Sequence, residues 1–343
     1  VDDDAMPAAT LPSERVMTTH AAPVRILSVD LLRGITIAFM ILVNDPGDWG
    51  HVFSQLDHAT WNGWTLTDLV FPNFLFLVGA STVFSLFARE RKGDCRKTLA
   101  GHIFLRALKL FALKTVLSLV PYFHWHTMRI YGVLTRIALC YLLAGLVLLA
   151  TRRKSELLGI VAALLIGYWV LLRCVPVPGV GMPVRDVPLL DPMFNLTAWI
   201  DRCFSAFTQH WLNTGTLYEK TRDPEGLLST LPAVATTLLG AVAGLWMQKP
   251  QPARSMRLRL AIAGALSLVL GVVWSQWFPI NKNLWTSSYV LLAAGWSLLA
   301  LAACSELVDT RPRPWPRWLD WTTWPFFVFG ANAIAAYAMS VVF

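Results

Sequence analysis

Nine apolar runs, each long enough to cross a bilayer, constrain this chain more than any other feature. Spanning roughly 30 Å of hydrocarbon takes about 20 helical residues at about 1.5 Å each. Runs of that kind lie near 27–44, 65–87, 99–121, 132–150, 156–175, 228–247, 257–277, 284–304 and 325–343. Backbone polar groups inside a bilayer must find their partners within the segment, which selects helices. The sequence therefore predicts an all-α integral membrane protein, a polytopic bundle of about nine transmembrane helices. Composition agrees, since 55% of the 343 residues are hydrophobic and only 15% charged, too apolar for an ordinary soluble domain.

The 29 Lys and Arg exceed the 21 Asp and Glu by eight, a surplus that in a soluble protein points towards nucleic acid. Here the basic residues sit in short connections between apolar runs and form no separate basic domain, so the expected partner is the lipid bilayer and not nucleic acid. Alternate connections carry 18 of them, against seven in the intervening ones. By the positive-inside rule the N-terminus is cytoplasmic and the 45–64 connection faces out, as in a bacterial inner membrane. Residues 1–24, rich in Pro, Ala, Thr and acids, read as a disordered cytoplasmic tail. Residues 25–343 form the membrane domain, and the stretch 176–227 is an outer loop segment with an amphipathic helix around 198–211. Gly240 and Gly244 form a small-xxx-small pair, read as close helix packing. The five cysteines are widely spaced, which predicts neither a disulfide framework nor a zinc site.

Several polar residues interrupt this apolar pattern. Asp30 and Arg33 are spaced to pair on the first helix, and Asn44, 11 residues beyond Arg33, returns after about 1,100° of helical rotation to nearly the same face. The stripe reaches from one boundary to the other and suits a long thin ligand such as a pantetheine arm; three separate anchoring groups explain it equally well. The next connection offers Asp45, Asp48, His51, Asp57 and His58, then Trp61, Asn62, Trp64, Thr65 and Asp68. A histidine takes a proton near neutral pH and an amide polarises a carbonyl, so His58 with Asn44 suffices for acyl transfer. Taken singly, His58 also fits an interfacial polar residue. Arg136 is costly within its helix and needs Asp68, a backbone carbonyl or an anionic ligand as partner. Asn281, Lys282 and Asn332 are further polar groups at or inside the predicted spans. No metal is expected.

Together these residues form a pattern. Ser28-Val29-Asp30-Leu31-Leu32-Arg33-Gly34, Asn44, His58-Ala59-Thr60-Trp61-Asn62-Gly63 and Thr67-Asp68-Leu69-Val70-Phe71-Pro72 resemble blocks of the heparan-α-glucosaminide N-acetyltransferase family, especially its short bacterial members. Gly132 to Ile137, Pro224 to Pro232, Pro279 to Ser288 and Gly330 to Ile334 resemble its later blocks. The resemblance implies transfer of an acetyl group from cytosolic acetyl-CoA to the amine of a glucosamine-like sugar on the far side of the membrane. It implies His58 as base or acetyl carrier, Asn44 as carbonyl stabiliser and Asp68 as the group orienting His58. Asp30, Arg33 and Arg136 are then the donor-binding candidates, and Asp57, Trp61, Asn281, Lys282 and Asn332 the acceptor-side candidates. A tenth helix in a complete chain and a homodimer are further expectations of this kind. The competing reading is a transporter or flippase whose polar stripe is a substrate path without acyl transfer.

Overall fold

The computed structural model describes residues 26–248, 252–311 and 314–342; among these the chain is helical, with isolated bridges and no strand. The tail 1–24 lies outside the described residues, as do Lys249 and Arg313 of the basic connections. The helices are α1 (Leu27–Asn44), α2 (Leu66–Glu90), α3 (Arg96–Leu119), α4 (Val133–Ala150), α5 (Lys154–Cys174), α6 (Leu196–Leu212), α7 (Thr230–Met247), α8 (Ala253–Trp274), α9 (Ser287–Cys304), α10 (Arg317–Ala331) and α11 (Ala333–Val342). A π-helical turn, Ser305–Asp309, extends α9.

Seven of them, α1, α2, α4, α5, α7, α8 and the extended α9, are long and apolar enough to cross a membrane. The expected count of nine changes in two places. α3 is a helix where one was expected, but Arg96, Lys97, Arg106, Lys109 and Lys114 leave no spanning length of it free of charge. The last run, 325–343, is broken, because α10 and α11 meet at 82° around Asn332. Asn332 turns its side-chain amide back onto the Val328 carbonyl at 3.0 Å, a local bond that competes with helix continuation. Counted as one span, the bent pair makes an eighth.

Close approach of backbones organises the interior. α7 packs along α2, α1 along α10, α8 along α9, α3 along α4 and α5 along α7. A Cβ at Gly240 would run into the carbonyl oxygen of Phe76, and one at Gly79 into that of Thr237. The Gly240–Gly244 pair thus serves contact within the chain, as small residues do where van der Waals packing holds helices together. By contrast, α5 and α8 are mostly uncovered and present Leu158, Ile166, Val170, Leu258, Ile262, Leu266 and Val269 outward. Water would leave that surface unpaid for, whereas lipid covers it.

The stretch 175–229 closes one end of the bundle, together with the connections 45–65, 120–132 and 275–286. α6 is the amphipathic helix expected there, burying Leu196, Ala198 and Thr208 and exposing Phe207 and Trp211. It is tied down by Trp125 Nε1 donating to the Leu212 carbonyl at 2.8 Å and by Thr214 Oγ1 donating to the Trp125 carbonyl at 2.6 Å. Arg129 pairs with both Asp223 and Glu225, and these carboxylates outweigh burial to hold its guanidinium above the usual arginine range. Arg136 and Asp201 grip one peptide from both sides: Arg136 donates to the Gly226 carbonyl at 3.0 Å, and Leu227 N–H donates to Asp201 Oδ1 at 3.0 Å.

Burial pushes the Asp201 carboxyl up to about 7, from an ordinary 3.8. Its folded-state value is raised, so its contribution to stability is complete below pH 3.8 and is lost as pH rises through about 7. Asp201→Asn keeps an acceptor for Leu227 and carries no charge. Melting of the wild type in detergent is expected to fall from pH 4 to pH 8 more than that of the variant, the gap opening between those values; parallel profiles would contradict this.

Candidate active site

Asp68 is the centre from which the site is built. It occupies the third position of α2 and closes a capping box with Thr65, its Oδ2 accepting from Thr65 N–H at 3.1 Å. Such a box satisfies orphan donors of the first helical turn and contributes about 1 kcal/mol. The same Oδ2 accepts from Ala59 N–H at 3.1 Å, and Tyr289 donates its hydroxyl to the Asp68 carbonyl at 2.5 Å. The carboxylate is 1% exposed and cannot swing away. Its second oxygen, Oδ1, is 2.8 Å from His58 Nδ1. A carboxylate only accepts, so Nδ1 carries the shared proton and Nε2 keeps a lone pair, the form a base requires.

The loop bearing His58 is tethered on three sides. Asp57 Oδ1 accepts from His58 N–H at 2.7 Å, and Thr65 Oγ1 donates to the Asp57 carbonyl at 2.6 Å. Gly63, at a φ of +100° that glycine tolerates, donates to the Ile280 carbonyl at 2.8 Å. Trp61 donates to the Leu190 carbonyl at 2.7 Å, and the Arg222 guanidinium lies 4.2 Å from its ring centre. Elsewhere on the loop, Asp48 pairs with His51, both exposed.

Facing His58 is the turn 279–286. Asn281 is fully buried; its Oδ1 accepts from Leu284 N–H at 2.9 Å and its Nδ2 donates to Asn62 Oδ1 at 3.3 Å. Trp285, left-handed at φ +53°, is locked inside by a bond to Thr236 Oγ1 and by edge contacts with Phe71 and Tyr289. This turn delivers Lys282 to the histidine. Its Nζ lies 2.9 Å from His58 Nδ1, 3.2 Å from Nε2 and 3.4 Å from Asp68 Oδ1. Burial pushes the Lys282 ammonium below its usual range, against the pull of Asp68 and Glu225.

Farther along the bundle, with none of these residues in its lining, lies a cavity of about 350 Å³ walled by α1, α2, α3, α4 and the α10–α11 bend. Its lining is mainly apolar, Met40, Phe74, Leu77, Val78 and Leu134 among it, with Arg33 and Arg106 as its two cations. Phe74 is six residues beyond Asp68 on α2, so the cavity begins about 9 Å along the helix from the His58 pair. Arg33, at its far end, pairs with Asp30 at 3.0 Å and donates to the Gly330 carbonyl at 3.0 Å and to Ser81 Oγ at 3.2 Å.

The structure therefore brings together His58, Asp68, Lys282 and, behind them, Asn281. Arg33 and Asn332 line the cavity, while Asp30 is buried against Arg33. Asn44, the last residue of α1, is exposed, and among the described residues its side chain has no hydrogen bond. Arg136 is not in the cavity wall; its partners are the Gly226 carbonyl, Ser229 and the Trp285 ring, not Asp68. Sequence reasoning missed Ser81, Arg106, Glu225 and Lys114, whose buried Nζ has no hydrogen-bond partner. A lone lysine in an apolar run was the available signal for Lys114.

Residues 25–275 match the model of the family described as heparan-alpha-glucosaminide N-acetyltransferase, catalytic. The chain belongs to this family. Among relatives it is similar to the heparan-alpha-glucosaminide N-acetyltransferase of Homo sapiens, 29% identical over 94% of this chain and 54% of that protein. That of Mus musculus is 28% identical over 93% and 54%. The chain thus spans about half the length of these relatives. The family match contains α1 to α8 and with them His58, Asp68 and most of the cavity wall; Lys282 and α9 to α11 lie beyond residue 275.

Proposed function

We propose that this chain is a transmembrane acetyltransferase that moves an acetyl group from cytosolic acetyl-CoA to the amine of a glucosamine-like sugar at the His58 end of the bundle. The observation that carries this reading is the histidine held by a buried carboxylate, His58 Nδ1 to Asp68 Oδ1 at 2.8 Å, with an apolar cavity bearing two arginines starting about 9 Å along α2. The N-terminus is cytoplasmic and the His58 end faces the periplasm or lumen, as the distribution of Lys and Arg supports.

The pantetheine arm of acetyl-CoA suits the narrow, mainly apolar cavity, and Arg33 and Arg106 suit its phosphates. The thioester then comes up beside His58. Nε2 takes a proton from the acceptor amine, whose nitrogen attacks the thioester carbon; the Asn44 amide, free of other partners, stabilises the oxygen that becomes negative. Collapse breaks the carbon–sulfur bond, and the proton held on His58 goes to the departing thiolate. Asp68 fixes the ring tautomer throughout and balances the imidazolium. A step through acetyl-His58 uses the same groups in two stages. Asn281, satisfied in its own turn, shapes the mouth, while Asp57 and Trp61 border it.

Protein in nanodiscs, given acetyl-CoA labelled in the acetyl group and glucosamine, is expected to yield labelled N-acetylglucosamine and free CoA. Sugar crossing the membrane unlabelled would replace this reading by a transporter. Filling the cavity tests the donor path: Val78→Trp is expected to raise KM for acetyl-CoA at least about tenfold while kcat changes less, because ground-state and transition-state binding suffer alike. An unchanged KM would place the donor elsewhere.

A further inference from the structure

Lys282 lies against His58 without contending for its free nitrogen. Its Nζ is 2.9 Å from Nδ1 and 3.2 Å from Nε2, and a point nearly equidistant from both nitrogens stands over the ring face, not in line with either lone pair. From there it also reaches Asp68 Oδ1 at 3.4 Å. Its turn fixes this placement: Trp285 N–H donates to the Lys282 carbonyl at 3.0 Å and Leu284 N–H to Asn281 Oδ1 at 2.9 Å, and only 19% of the Lys282 side chain is exposed.

The other charged groups that bond to His58 are carboxylates. Asp68 approaches Nδ1 from α2 at 2.8 Å, and Asp57, in the histidine's own loop, accepts from its N–H at 2.7 Å. From the connection before α7, Glu225 acts on Lys282, while Arg222 is turned onto the Trp61 ring at 4.2 Å. Carboxylates favour a second proton on an imidazole, and imidazolium has no lone pair with which to take a proton from an amine. An ammonium over the face does the opposite, being attracted to the π cloud of the neutral ring and repelled by the charged one. Burial weakens the hold of Lys282 on its own proton, while Asp68 and Glu225 strengthen it.

We infer that Lys282 is a positioning residue that acts through His58: its ammonium, held over the ring, keeps Nε2 open as a base at neutral pH and favours return of the proton to the departing thiolate. The inference rests on the acetyltransferase reading above. Asp68 and Lys282 then work as a pair of opposite sign, the carboxylate fixing the tautomer and the ammonium opposing a second proton.

The test uses the full chain in nanodiscs, with kcat/KM for acetyl-CoA followed against pH, since that ratio reports the protonation of the free enzyme's base. Lys282→Met, uncharged and of similar length, is expected to move the acid limb upward by at least about one pH unit. On that limb the loss is at least about tenfold, with a smaller change on the plateau. Lys282→Arg keeps the charge and is expected to hold the limb near that of the wild type. A merely structural lysine would lower the whole profile without displacing it. An unmoved limb in Lys282→Met overturns the inference, and so does a limb displaced equally by Lys282→Arg. Lys282→Gln takes the place of Lys282→Met if the latter melts early. A second readout is independent of turnover: diethyl pyrocarbonate reacts with neutral imidazole, and the modified His58 peptide is mapped by mass at each pH. The midpoint of that reaction is expected to rise in Lys282→Met, and a midpoint that stays put overturns the inference even where acetyl transfer is seen. A midpoint that moves in protein that labels no glucosamine overturns the acetyltransferase reading and leaves the action of Lys282 on His58 standing.

Discussion

His58→Ala is expected to lower acetyl transfer to glucosamine by about 10²–10⁴-fold, the usual span for a positioned general base, with the melting temperature close to that of the wild type. Activity falls because the ring that the buried Asp68 carboxylate holds in place is lost. Lys282 is close by, but its amine lies against the ring, 2.9 Å from Nδ1 and 3.2 Å from Nε2, and beside Asp68. The fold is expected to survive because the imidazole is about half exposed and buries little apolar surface. Asp68, in contrast, also caps α2 and holds Ala59, so Asp68→Asn is expected to reduce both rate and stability. The comparison separates chemistry from scaffold. Full activity in His58→Ala would remove the histidine from the mechanism, while a collapsed melting curve would make the variant uninformative and shift the test to pH-rate profiles of the wild type.

The largest effect on stability is expected at Gly240. Overpacking costs about 1–3 kcal/mol where neighbouring side chains yield, but the atom in the way here is the Phe76 carbonyl oxygen of α2, which is fixed in the helix. Gly240→Leu can be accommodated only by moving α7 off α2. α2 carries Asp68 at one end and lines the cavity farther along, and α7 supplies Thr236, to which Trp285 donates. The expected outcome is little monodisperse protein in detergent size-exclusion and loss of binding of acetyl-CoA by whatever remains, with Gly240→Ala intermediate. Wild-type melting in Gly240→Leu would mean that α2 and α7 are not in the contact described.

Much of this was readable in sequence because its causes are local. Helix after helix lies where an apolar run lay, since a bilayer leaves the backbone no other way to pair itself. The Thr65–Asp68 box and the Asp30–Arg33 pair are contacts of neighbours three apart, and spacing alone brings such residues together. His58, Asn44 and Asp68 stand in short blocks, so their type and order were legible too. The departures from the expected count also have local reasons. Apolar content suggested a spanning run at 99–121 despite the charges along it, and an unbroken final helix despite Asn332.

What sequence could not determine is who meets whom across the fold. His58 and Lys282 are 224 residues apart, and nothing near either one says that the 279–286 turn folds back onto the loop after α1. That meeting depends on α2 and α9 packing side by side and on Trp285 being buried beneath the turn. Arg136 shows the same limit: its cost in an apolar helix was evident, while its partners, the Gly226 carbonyl and Ser229, come from a connection some 90 residues away. The sequence by itself determined a membrane-embedded helical chain with a histidine and a carboxylate near one end. Only the tertiary structure decided that a lysine amine lies against this histidine and its carboxylate, because that depends on distances set by packing between helices and not by spacing along the chain.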